Sequence, residues 1–525
     1  MAAVGGTGRR RARGVARGPP RKAARRGAAP DYWLHATEDD VLLLVAGAGA
    51  APRRAGGGRR RRARGRRRAD DGGGSPAEGG AAGAAGAAPQ SAWGERVPLE
   101  ILERVFRVSV ACEGAVPFLC RVARVCRLWY RAAASPALWQ QVSVGFCWVE
   151  PGRKQPPATE KRVLGTVEWL TASRFSLLRD FALCHWKSHV PFVLKALGEC
   201  CPLLTSLKLS HCSGVQAEPL SLLAKRCPRL ESLDLQHSQV DSLAVLSFLE
   251  VAGSRLKRLW LTYSSRMNAI LTTLAAGSCP GLRLLEVNRD IKQSSQRFQL
   301  PVEQLQAASP ELQVLRLLNV IWSPKPSPRA APATLGFPQL EELCLATTVL
   351  SFVTDGVLRQ LLWASARLRM LDLRGCFRVT PKGLQELPCP DLEQLHLGLY
   401  CSPSALPLPT TGSPLLTWKW QHSLQELDLA GQSFSERDLE QALAAFARGP
   451  APLRALNLTG TKVTLSTVSA LILSCPGLSY LNLSSCRHLP RGTKRAYRGP
   501  AAIRQCLQGL LTHSDELEPA QDTGR

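Results

Sequence analysis

Cys184, His185 and His189 come nearest to a metal-binding constellation, because thiolate and imidazole are good ligands for zinc and other first-row metals. A closed zinc site needs four such groups, and no second pair stands at zinc spacing. The chain also lacks a nucleotide-cradling glycine loop, a Cys-x-x-Cys pair, a His-Glu-x-x-His helix and a Gly-x-Ser-x-Gly elbow. No catalytic residue, metal or cofactor is therefore expected, and the chemistry that remains is recognition. Its candidates are Arg258, Trp260, Leu284, Glu286, Val314 and Arg316, which mix large apolar groups with charge at matching places in consecutive sequence repeats.

Those repeats carry the frame Leu-x-x-Leu-x-Leu, first at Leu204 (LTSLKL) and last at Leu478 (LSYLNL). Eleven copies start 24 to 32 residues apart, and a degenerate copy, LRDFAL, begins at Leu178. Such a period marks a stacked array in which each unit buries its apolar face against its neighbours. Cysteine follows the same period. Cys201, Cys227, Cys279, Cys389 and Cys475 each precede Pro and stand three residues before a frame, while Cys212, Cys376 and Cys486 stand eight after a frame's first leucine. Thiols placed this way read as small buried hydrophobes in a reducing compartment. The unit resembles the leucine-rich repeat of the cysteine-containing class. The resemblance implies an α/β leucine-rich-repeat solenoid, one strand and one helix per unit, curved into a horseshoe over residues 160–486.

Strand alternation turns the frame leucines inward and sends the third, fifth and seventh frame positions to the open concave face. On that face Trp260, Leu284, Val314 and Leu318 place large apolar groups in consecutive units, flanked by Arg258, Glu286 and Arg316. They are the expected binding surface for a protein substrate, unless a loop or the C-terminal tail covers them. Two Pro-rich insertions, Ser323 to Pro338 and Cys401 to Pro414, lengthen the spacing and are expected to be surface loops.

Residues 93–149 have helical periodicity. Pro98 opens a stretch with Leu102, Val105, Phe106 and Ser109 on one face, and a second stretch places Phe118, Val122, Val125 and Trp129 likewise. So small a module has a marginal core of its own. Val97-Pro98, Glu100-Ile101-Leu102, Val105-Phe106, Val125-Cys126-Arg127-Leu128-Trp129 and Leu138-Trp139 resemble, in order, the signatures of the F-box family. Val97 departs from the family's opening Leu, and no Asp-Leu step is recognisable in Ala111 to Pro117. The resemblance implies a small all-α module that docks on the Skp-type adaptor of a cullin ubiquitin ligase, and through it on cullin and RING subunits. It carries Pro98, Ile101 and Leu102 over as adaptor contacts, whereas Phe106, Val125 and Trp129 are assigned to the module's own core.

Residues 1–92 are an Arg-, Gly- and Ala-rich arm with 19 basic and 7 acidic residues, against a net charge of +26 for the whole chain. Too little branched apolar surface is present to offset the entropy of ordering, so disorder is expected. The block Arg59 to Arg68 reads either as an import signal or as a solvated charge run. Without aromatic platforms it does not argue for sequence-specific nucleic-acid binding. Within the arm, Asp31 to Val45 is an acidic-apolar island, either a docking segment or a fragment without function. The apolar run Val41 to Pro52 is short of the ~20 residues a bilayer span needs. Neither membrane insertion nor secretion is expected, and residence inside the cell, in nucleus or cytoplasm, follows. Residues 487–525 form a tail with a short helix around Ile503 to Leu511. The F-box and leucine-rich resemblances together imply a non-catalytic substrate receptor of a ubiquitin ligase; the alternative is an interaction scaffold without ligase assembly.

Overall fold

The computed structural model describes residues 32–36, 41–45, 97–144, 157–264, 266–289, 297–326, 336–400, 408–448 and 451–515. The chain divides into two units, Met1–Gly86 and Ala87–Arg525. In the first, β1 (Tyr32–Ala36) and β2 (Val41–Val45) pair antiparallel, with Tyr32 opposite Val45. Both strands fall within the acidic-apolar island, whose valine, aromatic and leucine residues favour strand. The block Arg59 to Arg68 lies outside the described residues.

The second unit opens with three helices. Helix α1 (Leu99–Glu113) starts after Pro98 and stops at Gly114, whose φ of 87° is left-handed and ends the helical run. Where periodicity predicted one further helix there are two, α2 (Ala115–Val122) and α3 (Arg127–Ala133). Cys126 breaks them apart: it is extended, and its sulfur accepts the Trp129 N–H as a cap. Phe106 is the centre of this module, 5.4 Å from the Phe118 ring and 5.3 Å from the Trp129 ring, both edge-on.

After the helices come β3 (Gln141–Val144), the helix α4 (Pro157–Thr171), and then β4 (Asp180–Cys184), β5 (Ser206–Ser210), β6 (Ser232–Asp234), β7 (Arg258–Thr262) and β8 (Leu284–Asn288). Strands β9 (Phe298–Leu300) and β11 (Trp322–Pro324) pair with each other outside the main sheet, flanking β10 (Val314–Leu318) in sequence. The main sheet continues through β12 (Glu342–Cys344), β13 (Met370–Asp372), β14 (Gln394–His396), β15 (Glu426–Asp428), β16 (Ala455–Asn457) and β17 (Tyr480–Asn482). Among the described residues it has 14 strands in sequence order, and β3, assigned by sequence to the helical module, is its first. All neighbours are parallel up to β17, and the sheet does not close into a barrel.

Register follows the leucine frame: Leu233, Leu259 and Leu285 lie side by side on β6, β7 and β8. The frame leucines form the core, with Leu256 and Leu259 wholly buried and Leu261 nearly so. Each such burial contributes on the order of 1.5–3 kcal/mol. The frame-locked cysteines tie units together. Cys227 donates its S–H to the Cys201 carbonyl at 3.3 Å, and Cys486 donates to Leu458 at 3.0 Å. All described cysteines are free thiols, and burial pushes the Cys279 thiol up to about 12, so it stays protonated.

In β13, β15, β16 and β17 the strand ends at the fifth frame position. Asp372, Asp428, Asn457 and Asn482 each accept, on the side-chain oxygen, the backbone N–H two residues ahead, at 3.0 to 3.2 Å. These are Asx-turns, which compete with the ladder and bend the chain out of the sheet. Beyond β17 the tail continues the fold. Strand β18 (Ala496–Arg498) pairs antiparallel with β17, and the helix Pro500–Asp515 buries Ile503, Cys506 and Leu510.

Candidate protein-interaction surfaces

Helix α1 presents two different faces. Leu102 and Phe106 are buried, while Ile101, Val105 and Val108 are 46%, 53% and 69% exposed. The exposed three recur at i, i+4 and i+7 and form one aliphatic stripe, with exposed Pro98 just before it. Leu102, carried over as an adaptor contact, is only 4% exposed and faces the module's core. Val125, assigned to the core, is 61% exposed because it sits in the turn between α2 and α3. The stripe was within reach of sequence reasoning, since Val105 and Val108 continue the period from Ile101; which side faced in depended on where Phe118 and Trp129 pack.

The sheet face is less open than strand alternation alone predicts. Arg258 is exposed and Trp260, Leu284 and Val314 are half-buried, so these four do reach the surface side by side on β7, β8 and β10. The Arg258 guanidinium lies 6.0 Å from the Trp260 ring centroid, within range of a cation–π contact. Glu286, Arg316 and Leu318, expected on the open face, are buried. Arg316 donates to Glu286 at 3.2 Å and to both oxygens of Glu342 at 2.5 and 3.0 Å, and Gln236 donates to Glu286 from the other side. Burial pushes the Glu286 carboxyl up, against the pull of Arg316. These charges are consumed in holding neighbouring strands together and support the apolar patch from below.

At the strand ends the eighth frame position carries an imidazole in three successive units. His185, His211 and His237 stack nearly parallel, with ring centroids 4.4 and 4.8 Å apart, close to the spacing of paired strands. Each has a left-handed φ of 55° to 64°. Burial, then the neighbouring His211, lowers the basicity of His185. The ladder is visible in the sequence once the eighth position is tabulated across units. Among the described residues no group of three or more His, Cys, Asp or Glu is placed to hold a metal ion.

Residues 95–144 match the F-box-like family. The matched segment covers α1 to β3. A looser likeness, with 18% identity and a TM-score of 0.39 over 67% of this chain and 80% of the other, links the chain to a structure described as the Rad7 and Elc1 complex in yeast.

Arg174 and Trp139 tie the F-box-like module to the first repeat. Arg174, 4% exposed, stacks its guanidinium 3.5 Å from the Trp169 ring centroid on α4 and donates to the Tyr130 hydroxyl on α3 at 3.2 Å. Trp139 adds a second contact: its indole N–H donates to the Ala133 carbonyl at 2.8 Å and its ring lies 6.0 Å from Phe175. A module with a small core thus borrows stability from the sheet it precedes.

Proposed function

We propose that the chain is a substrate-recognition subunit of a Skp–cullin–F-box ubiquitin ligase. The F-box-like module binds the Skp-type adaptor, and cullin and RING subunits join through that adaptor. The repeats, curved as a horseshoe, present a protein substrate, and the chain itself makes and breaks no bonds. The observation that carries this reading is the exposed aliphatic stripe Ile101, Val105 and Val108 on the helix of a segment matching the F-box-like family. An apolar stripe of that kind needs a partner. Pro98 and Ile101 are adaptor contacts in this reading, Val105 and Val108 extend them, and Leu102 holds the helix in place.

The substrate surface is the patch of Arg258, Trp260, Leu284 and Val314, with Glu286 and Arg316 bracing it. A half-buried Trp beside a cation and two aliphatic groups has the composition of an interface hot spot. The protein acts in the nucleus or cytoplasm, where reduced thiols persist.

The test is affinity for a purified Skp-type adaptor, comparing wild type with Ile101→Asp/Val108→Asp. Tight binding lost in the variant, with an unchanged melting temperature, supports the reading. A well-folded wild type that does not bind the adaptor would overturn it and leave a repeat scaffold.

A further inference from the structure

On the loops that follow the strands, away from the patch around Trp260, two arginines converge on one ring. The Arg297 guanidinium carbon is 4.6 Å from the Phe352 ring centroid and that of Arg378 is 5.3 Å away. Arg378 also lies 5.7 Å from the Phe377 ring. Both arginines are exposed. Neither forms a salt bridge among the described residues: Arg297 donates to the Ser323 hydroxyl at 2.9 Å, and Arg378 has only its ring contacts. Asp355, which bonds the same loop as Arg378, spends both oxygens on the N–H and hydroxyl of Thr380, at 2.8 and 2.7 Å.

Two like charges gathered on one ring repel each other, and among the described residues no carboxylate pairs with either. The contrast with other surface arginines is plain. Arg283 and Arg369, at the opposite ends of their strands, pair with Glu311 and Glu393. Arg297 and Arg378 are held near aromatic rings, a placement that still leaves guanidinium N–H groups available as donors. Two residues from Phe352, Leu350 is 48% exposed. A partner complementary to this surface carries carboxylates beside an aliphatic side chain.

We infer that the loop edge formed by Arg297, Leu350, Phe352, Phe377 and Arg378 is a docking site for an acidic-aliphatic segment of a protein partner. It is distinct from the sheet-face patch and does not depend on adaptor binding. Aromatic rings fix the guanidinium planes in advance, so less entropy is lost when a carboxylate is gripped.

The experiment uses the full chain and a short synthetic peptide of alternating Glu and Leu in which one Leu is photoactivatable. The expected result is cross-linking at residues 350–352 and 377–378. Arg297→Glu/Arg378→Glu should abolish that labelling and weaken binding ~10-fold or more, whereas Arg283→Glu/Arg369→Glu should do neither. Adaptor affinity and the melting temperature of the reversal variant should match wild type. The inference is overturned if labelling is confined to the N-terminal arm, if both double variants weaken binding equally, or if the first leaves affinity unchanged. Preference for a phosphoserine-for-glutamate version of the peptide by ~10-fold or more would likewise overturn the acidic assignment in favour of phosphate.

Discussion

Arg316 and Glu286 stand on adjacent strands, 30 residues apart in sequence, with their charges 3.2 Å apart in a part of the sheet closed to solvent. Removing Arg316 leaves the Glu286 carboxylate buried with only the neutral Gln236 amide as its donor. Arg316→Ala should therefore destabilise by ~3–5 kcal/mol, while replacing Glu286, Arg316 and Glu342 together by Leu, Met and Leu should cost less. Urea denaturation of the two variants checks the ordering; a cheaper single change would mean that water reaches the site.

Asp372 gives a pH signature. It is fully buried, which works to raise its carboxyl pKa, but the Arg374 charge and hydrogen bonds prevail and hold it below the ordinary value of 3.8. A carboxyl depressed in the folded state contributes stability above its unfolded pKa and loses it as pH falls through the folded one. The wild type should lose this contribution as pH falls through and below the ordinary carboxylate range, and Asp372→Asn should show a flatter acid limb from a lower neutral starting point. Chemical denaturation midpoints across that window decide it.

Trp260 and Leu259 are chain neighbours with opposite fates. Leu259 is wholly buried, so Leu259→Ala should cost ~2–5 kcal/mol by opening a cavity. Trp260→Ala, on the half-buried surface, should leave the melting temperature nearly unchanged and abolish capture of a protein partner. Unfolding of the Trp260 variant would make that residue part of the core.

Arg174 couples the module to the repeats by a flat stack on Trp169, so charge alone should not substitute for it. Arg174→Ala and Arg174→Lys should both lose about 2 kcal/mol, because an ammonium cannot reproduce the planar contact and the bond to Tyr130 together. Thermal melts followed by tryptophan fluorescence would show the loss; full rescue by Lys would sink the stacking argument.

Much of this architecture is legible in the residues because it is local and repeated. The leucine frame sets strand register directly, and the Cys-Pro steps mark where each unit packs on the last. What sequence patterning missed lies between units. Alternation puts Glu286, Arg316 and Asp372 on an open face, but pairing across neighbouring strands and turns two residues long draw them under cover. In the same way periodicity finds α1 but cannot separate Leu102 from Ile101, since the choice rests on Phe118 and Trp129 arriving from other helices.

The reversed direction of β18 has a consequence for assembly. A parallel ladder has no intrinsic length limit, because each strand offers the next the same row of N–H and C=O groups. By folding back on β17 and laying the helix Pro500–Asp515 over the last unit, the chain breaks the translational repeat that would let copies add end to end. Loss of those residues would therefore do more than fray a terminus: it would bare the β17 edge, whose groups continue the parallel repeat.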